Sequence, residues 1–249
     1  MTARSLPPWG PSLPPWRRKP MRAPMPWRAG GRCGRGGRTW MPDADLLSAL
    51  RGIAPDCAGV GWSDPCAVYP LMPGEVLPGA VPARLREFAA GRFAARMAMA
   101  AIGNPAQAIP QGADRAPVWP VGLVGSITHT RAACLAMVIP AATSRGIGID
   151  LEADTPLEPD LWEAILRPEE RAGMTGAQAK AVFCAKEAAY KAQYAISRTL
   201  YGFDAMRVEM QDDHFSAVFV HSVPPFASGD RIAGRIVRAG GHVLTLAQL

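Results

Sequence analysis

The stretch Gly146-Ile147-Gly148-Ile149-Asp150-Leu151-Glu152 sets Ile147, Ile149 and Leu151 on one parity and Gly148, Asp150 and Glu152 on the other. A period of two is the mark of a strand with one buried face. The aliphatic side chains therefore enter a core, and the two carboxylates share the opposite face. Two like charges side by side repel unless something positive lies between them. A hard divalent cation such as Mg²⁺ suits that place, because it takes a few carboxylates and completes its shell with water and phosphate oxygens. Taken alone, the stretch also reads as a strand ending in a solvated acidic turn.

Working outward, Val121 to Thr128 and Ala132 to Ile139 read as strands, the second apolar enough to be buried on both faces. Ala83 to Ile102 reads as a helix stopped by Gly103 and Pro105, and Ala177 to Ile196 as a second long helix. Asp45 to Leu50 and Asp160 to Leu166 suggest shorter helices, and Cys66 to Tyr69 a strand. Ala205 to Met210, His214 to His221, Arg231 to Arg238 and His242 to Leu246 complete a β-rich end. Helix and strands thus occur twice in succession, which predicts an α+β fold. The sequence shows no repeat that would relate the two parts.

The long second helix carries Phe183-Cys184-Ala185-Lys186-Glu187-Ala188-Ala189-Tyr190-Lys191. Glu187 and Lys191 are four apart and lie on one face, with Lys186 turned about 100° away. Such a pair is ordinarily a surface ion pair, but here its neighbours are small or aromatic. In the first long helix Arg92 and Arg96 share the stripe of Leu85, Phe88 and Met99 instead of a polar back. An arginine in an apolar stripe needs an anion, either a protein carboxylate or a phosphate. Gly125-Ser126-Ile127-Thr128-His129-Thr130, at a strand end, offers hydroxyls and an imidazole for a phosphate or ribose. A lone histidine there is more often structural. Arg115 in Arg115-Ala116-Pro117-Val118-Trp119-Pro120 adds a cation in a loop held by prolines.

The 249 residues are 49% hydrophobic and 19% charged, so wholesale disorder is excluded. No apolar run has the roughly 18 to 20 residues a membrane span needs. Five cysteines without a C-x-x-C pair suggest neither a disulfide framework nor a cysteine zinc site, and point to a reducing, cytoplasmic setting. The net charge of +6 is local: nine basic residues and no acid stand in residues 1–40, leaving 18 Lys plus Arg against 21 Asp plus Glu from Met41 onward. Those forty residues, with eight prolines, six glycines and four tryptophans, read as a disordered tail. Residues 31–38 resemble an RGG-type nucleic-acid segment; the preferred reading is a translated upstream stretch, with a start at an internal methionine such as Met41. Nucleic acid and membrane are therefore not expected partners of the folded part.

In order, G-R-F-A-A-R at 91–96, R-A-P-V-W-P at 115–120, G-S-I-T-H at 125–129, G-I-G-I-D-L-E at 146–152 and F-C-A-K-E-A-A-Y-K-A at 183–192 resemble the 4′-phosphopantetheinyl transferases of the enterobactin-synthetase-component-D type. The match covers roughly residues 60–210. Cys184 stands where the family commonly has a small hydroxyl residue. The resemblance implies two similar α+β halves, here 41–143 and 144–249, with the active site between them. It implies transfer of the phosphopantetheine arm of coenzyme A to a serine of an apo acyl, peptidyl or aryl carrier protein, releasing 3′,5′-ADP, by a monomer. Asp150, Glu152 and Glu187 would hold Mg²⁺, with Glu187 as general base, while Lys186 and Lys191 would stabilise the pyrophosphate. Arg92, Arg96, Arg115, Thr128 and His129 would grip the nucleotide and its 3′-phosphate. By charge alone, Arg198, Arg207, Arg231, Arg235 and Arg238 are candidates for docking an acidic carrier. A non-catalytic relative that binds coenzyme A or a carrier, and a nucleic-acid binder working through the tail, are the alternatives.

Overall fold

The computed structural model describes residues 42–249, so the readings of the tail lie outside the described residues. The helices are α1 (Pro42–Ile53), α2 (Pro82–Ala101), α3 (Trp162–Ile165), α4 (Pro168–Arg171) and α5 (Gly176–Ser197). The strands are β1 (Gly59–Ser63), β2 (Leu123–His129), β3 (Cys134–Pro140), β4 (Ile147–Ala153), β5 (Met206–Gln211), β6 (His214–Phe219), β7 (Arg231–Ala239) and β8 (His242–Gln248). They form two antiparallel sheets, ordered β1-β3-β2 and β4-β8-β7-β6-β5. No helix among the described residues is long and apolar enough to cross a membrane.

Local chemistry explains the two long helices. Pro82 occupies the first turn of α2, where its missing N–H costs nothing, and Gly103 takes a left-handed φ just beyond the end. The start of α5 is a capping box: Thr175 Oγ1 accepts the Gln178 N–H, and Gln178 Oε1 accepts the Thr175 N–H at 2.8 Å. Each helix then lies on a strand that lacks side chains where they cross. A Cβ on Gly59 or Gly61 of β1 would stand 1.9 or 2.0 Å from the carbonyl oxygens of Ala98 and Ala94 in α2. A Cβ on Gly146 or Gly148, just before and within β4, would stand 2.2 or 1.9 Å from those of Ala192 and Ala188 in α5. A glycine pair under an alanine-rich helix is therefore built twice, and the two α+β halves share one packing device. Its sequence trace, G-x-G, is too short to read as a repeat.

The strands of β3 confirm burial on both faces. Leu135, Met137 and Ile139 enter a core with Leu46 and Leu50 of α1, Ile147, Ile149 and Leu151 of β4, and Leu244 and Leu246 of β8. Ala136 and Val138 face Ala94, Ala95, Ala98 and Met99 of α2. The first core belongs to both halves, with α1 lying over the second sheet. The edge strands β2 and β4 meet along a seam, where Ser126 Oγ accepts the N–H of Ile149 at 3.0 Å and Thr128 Oγ1 that of Leu151 at 3.1 Å. Side-chain hydroxyls thus satisfy the open edge of β4.

Three local expectations change. Cys66 to Tyr69 forms no strand: the Asp64 carboxylate accepts the Cys66 N–H at 2.8 Å in an Asx turn, and Val68 is 85% exposed. The strand lies earlier, in β1, where glycine serves close approach instead of a turn. Asp160 to Leu166 is a 3₁₀ turn followed by the short α3, and α4 follows without having been expected.

Candidate active site

Because Gly148 brings α5 close, the residues of β4 on its parity face that helix. Asp150 is buried, and its Oδ1 accepts from Lys191 Nζ at 2.6 Å and from Thr128 Oγ1 at 3.2 Å. Lys191 also donates to the Ile149 carbonyl at 2.9 Å. Asp150 Oδ2 is buried with no hydrogen-bond partner among the described residues. Burial by itself lowers the Lys191 ammonium, but the charges of Asp150 and Glu187 and the bond to Asp150 prevail and raise it. Lys191 is therefore a firm cation beside two carboxylates. Glu187 precedes it by one turn on the same face of α5.

Glu152 pairs with Lys180 at 3.7 Å, a residue the sequence reading passed over. Its signal was present: Lys180, Glu187 and Lys191 stand at i, i+7 and i+11 and so form one stripe of α5. The three expected cation ligands are not drawn into one cluster; among the described residues no three His, Cys, Asp or Glu side chains gather as a metal site. Asp150 and Glu152 each lean on a separate lysine, which relieves their mutual repulsion. The donor chemistry still fits a hard cation, since the orphaned buried oxygen of Asp150 is of the kind Mg²⁺ takes, and Mg²⁺ needs only one or two carboxylates when phosphates complete its shell. Cys184 is inert here. Burial, then the nearby Asp150, push its thiol well up, and its Sγ contacts the Val243 carbonyl.

Lys186 departs from its expected role. Its ammonium is buried and bonded to the carbonyls of Ile165 at 2.9 Å and Phe203 at 3.2 Å and to Glu170 Oε2 at 2.6 Å. Three donors meet three protein acceptors, so none is left for a phosphate. Glu170, which the sequence did not single out, also accepts the N–H groups of Arg167 and Val208 at 2.8 Å each.

The two stripe arginines separate in the same manner. Arg96 Nη1 lies 2.8 Å from both oxygens of Glu75, and Nη2 donates to the Pro70 carbonyl at 2.8 Å. Glu75 in turn accepts the N–H groups of Ile109 and Met72 at 2.9 Å, so the anion that Arg96 required is a protein carboxylate. Arg92 gives only Nε, to the Ile109 carbonyl at 2.9 Å, and lies 4.0 Å above the Phe88 ring. Its outer amino groups bond to no described residue. Burial, only partly offset by Glu75, pulls the guanidinium down to about 10, so this cation is short of anionic company.

His129 Nε2 lies 3.1 Å from Arg84 Nη1 and 4.0 Å from the Glu87 carboxylate, placing Arg84 beside the expected nucleotide residues. Thr128 is turned to Asp150 and β4, not outward. Arg115 is exposed in a left-handed backbone (φ 69°), which costs a non-glycine residue about 1–2 kcal/mol. Its loop is held from both halves. Trp119 occupies the space that a Cβ on Gly125 would take, 2.5 Å from the ring, and Asp114 accepts from Tyr194 of α5 at 3.0 Å and pairs with Arg198 at 3.6 Å. The five arginines that are candidates by charge are all ion-paired: Arg198 to Asp114, Arg207 and Arg231 to Glu209, Arg235 to Asp213, and Arg238 to Asp154.

The candidate site thus holds a carboxylate with one oxygen locked and the other unpartnered, a lysine on it and an under-neutralised arginine, within two α+β halves that share one packing device. Residues 73–139 match the family model described as the 4′-phosphopantetheinyl transferase N-terminal domain, and residues 146–247 that of the 4′-phosphopantetheinyl transferase superfamily. The chain is 34% identical over 139 residues to the 4′-phosphopantetheinyl transferase Npt of Nocardia iowensis, covering 54% of this chain and 63% of that protein. It is 35% identical over 160 residues to the transferase PptT of Mycobacterium tuberculosis, covering 61% and 70%. To the enterobactin synthase component D of Salmonella typhi it is 32% identical over 178 residues, covering 66% and 71%. The match thus spans less than two thirds of the Nocardia protein and somewhat more of the other two. This chain belongs to the 4′-phosphopantetheinyl transferase superfamily.

Proposed function

We propose that this chain moves the 4′-phosphopantetheine arm of coenzyme A onto a serine of an apo carrier protein of the siderophore, peptide, polyketide or fatty-acid type, releasing 3′,5′-ADP, as a monomeric cytoplasmic enzyme. The observation that carries the reading is Asp150, whose Oδ1 is held by Lys191 and Thr128 while Oδ2 is buried without a partner among the described residues. Asp150, Glu152 and Glu187 would hold Mg²⁺, which when bound offsets charge on the pyrophosphate.

The chain's own residues supply the rest. Arg92, with its outer amino groups available, and His129 beside Arg84 bind the 3′-phosphate. Arg115 holds the nucleotide from its clamped loop. Glu187 takes the proton of the carrier serine as its oxygen attacks the β-phosphorus. The bond from that phosphorus to the nucleotide oxygen breaks, and Lys191 stabilises the negative charge of the departing 3′,5′-ADP. Arg96, paired with the buried Glu75, and Lys186, whose three donors all meet protein oxygens, hold the frame. The test is the intact mass of a panel of apo carriers incubated with the protein, coenzyme A and Mg²⁺. The expected result is a gain equal to the phosphopantetheine arm, lost with EDTA. No gain from a folded sample that binds coenzyme A overturns the transfer and leaves a non-catalytic relative.

A further inference from the structure

We propose that Thr128 is a positioning residue that fixes the orientation of the Asp150 carboxylate toward the cation, so that the first half of the molecule sets the cation site of the second. The inference rests on the reading of Asp150 as a cation ligand. Its basis is hydrogen-bond direction. The Leu151 N–H can only donate, so Thr128 Oγ1, at 3.1 Å, accepts from it. The hydroxyl proton then points to the other neighbour, Asp150 Oδ1, at 3.2 Å. Lys191 donates to the same oxygen at 2.6 Å.

Two donors converging on Oδ1 set the plane of the carboxylate. The carboxylate cannot rotate out of that plane without losing both bonds, so its second oxygen is held in one place. Thr128 stands on β2 next to His129, which the proposed function assigns to the nucleotide. A strand of the nucleotide-binding half therefore orients a ligand on a strand of the other half. Ser126 supplies an internal control: its hydroxyl accepts the Ile149 N–H at 3.0 Å and seals the same seam, with no bond to Asp150.

The experiment compares Thr128→Val, Thr128→Ser and Ser126→Ala in the full chain. Melting temperature is measured, together with Mn²⁺ binding to the coenzyme A complex by electron paramagnetic resonance and the Mg²⁺ concentration that half-saturates transfer. Thr128→Val and Ser126→Ala should both lower the melting temperature, since each uncovers one N–H of β4. Only Thr128→Val should weaken Mn²⁺ binding and raise the Mg²⁺ requirement, by about 10- to 100-fold, and Thr128→Ser should restore both. Where Thr128→Val does not fold, Thr128→Ala carries the same comparison. Wild-type Mn²⁺ affinity in the variant lacking the hydroxyl, or an equal loss in Ser126→Ala, overturns the positioning role. Wild-type transfer indifferent to EDTA with no Mn²⁺ bound overturns the cation reading itself, and that failure shows before any variant is made.

Discussion

At the scale of single residues, one helix stripe holds two arginines with different work. Arg96 and Glu75 form a buried pair in which each partner has further protein bonds. Removing one side leaves an uncompensated buried charge, so Arg96→Ala should cost about 3–5 kcal/mol of stability, measured by urea unfolding. Arg92 has one protein bond and outer amino groups available for a ligand. Arg92→Ala should raise the Michaelis constant for coenzyme A by about 10- to 100-fold with kcat nearly unchanged, because the contact is remote from the reacting phosphorus. Steady-state kinetics at varied coenzyme A would sink the assignment by showing an unchanged constant. Asp150→Ala should abolish transfer in the carrier mass assay while circular dichroism stays native. Wild-type turnover in that variant would remove Asp150 from the site.

At the scale of elements, the site exists because a helix lies unusually close to a strand. Gly148→Ala puts a methyl group 1.9 Å from the Ala188 carbonyl oxygen, so α5 must move. Overpacking of this kind costs about 1–3 kcal/mol, and the displaced helix draws Lys191 from Asp150. Gly61→Ala places its methyl 2.0 Å from the Ala94 carbonyl oxygen in the other half. Thermal melts should therefore show a similar loss for both variants, whereas kcat should fall much further in Gly148→Ala. Equal kcat in the two would mean that the α5–β4 spacing does not set the chemistry. The Glu170–Lys186 contact acts on the same element, tying α5 to α4, to β5 through the Val208 N–H, and to the 3₁₀ turn at Phe203.

At the scale of the whole molecule, the buried groups set an alkaline limit. Burial pushes the Cys134 thiol up to about 12 from an ordinary 9.0. Between about pH 9 and 10 the unfolded chain loses this proton and the folded chain keeps it, so the unfolded state binds fewer protons and stability falls as pH rises. The slope from this group approaches about 1.4 kcal/mol per pH unit. Above about pH 10 the lowered Arg92 acts in the opposite sense, because the unfolded chain then holds the extra proton. Melting temperature should drop from pH 9 to 10, and the drop should be shallower in Cys134→Ala. An identical slope in that variant would assign the alkaline loss to other groups.

Much was legible from residues alone, because alternation and helical spacing are local properties. The strand of Asp150, the two long helices, the buried β3 and the β-rich end follow from periods of two and 3.6. The face shared by Asp150 and Glu152, and that shared by Glu187 and Lys191, follow from the same spacing. Tertiary structure decided which charged groups face one another, since a side chain's partner depends on chain distant in sequence. Only packing shows that Arg96 meets Glu75, that Lys186 is enclosed by Glu170 and two carbonyls, and that Thr128 turns to Asp150 instead of outward. Only packing, likewise, shows why Gly59, Gly61, Gly146 and Gly148 are glycines. In sequence they resemble turn residues, and in space they are the room that a helix backbone occupies.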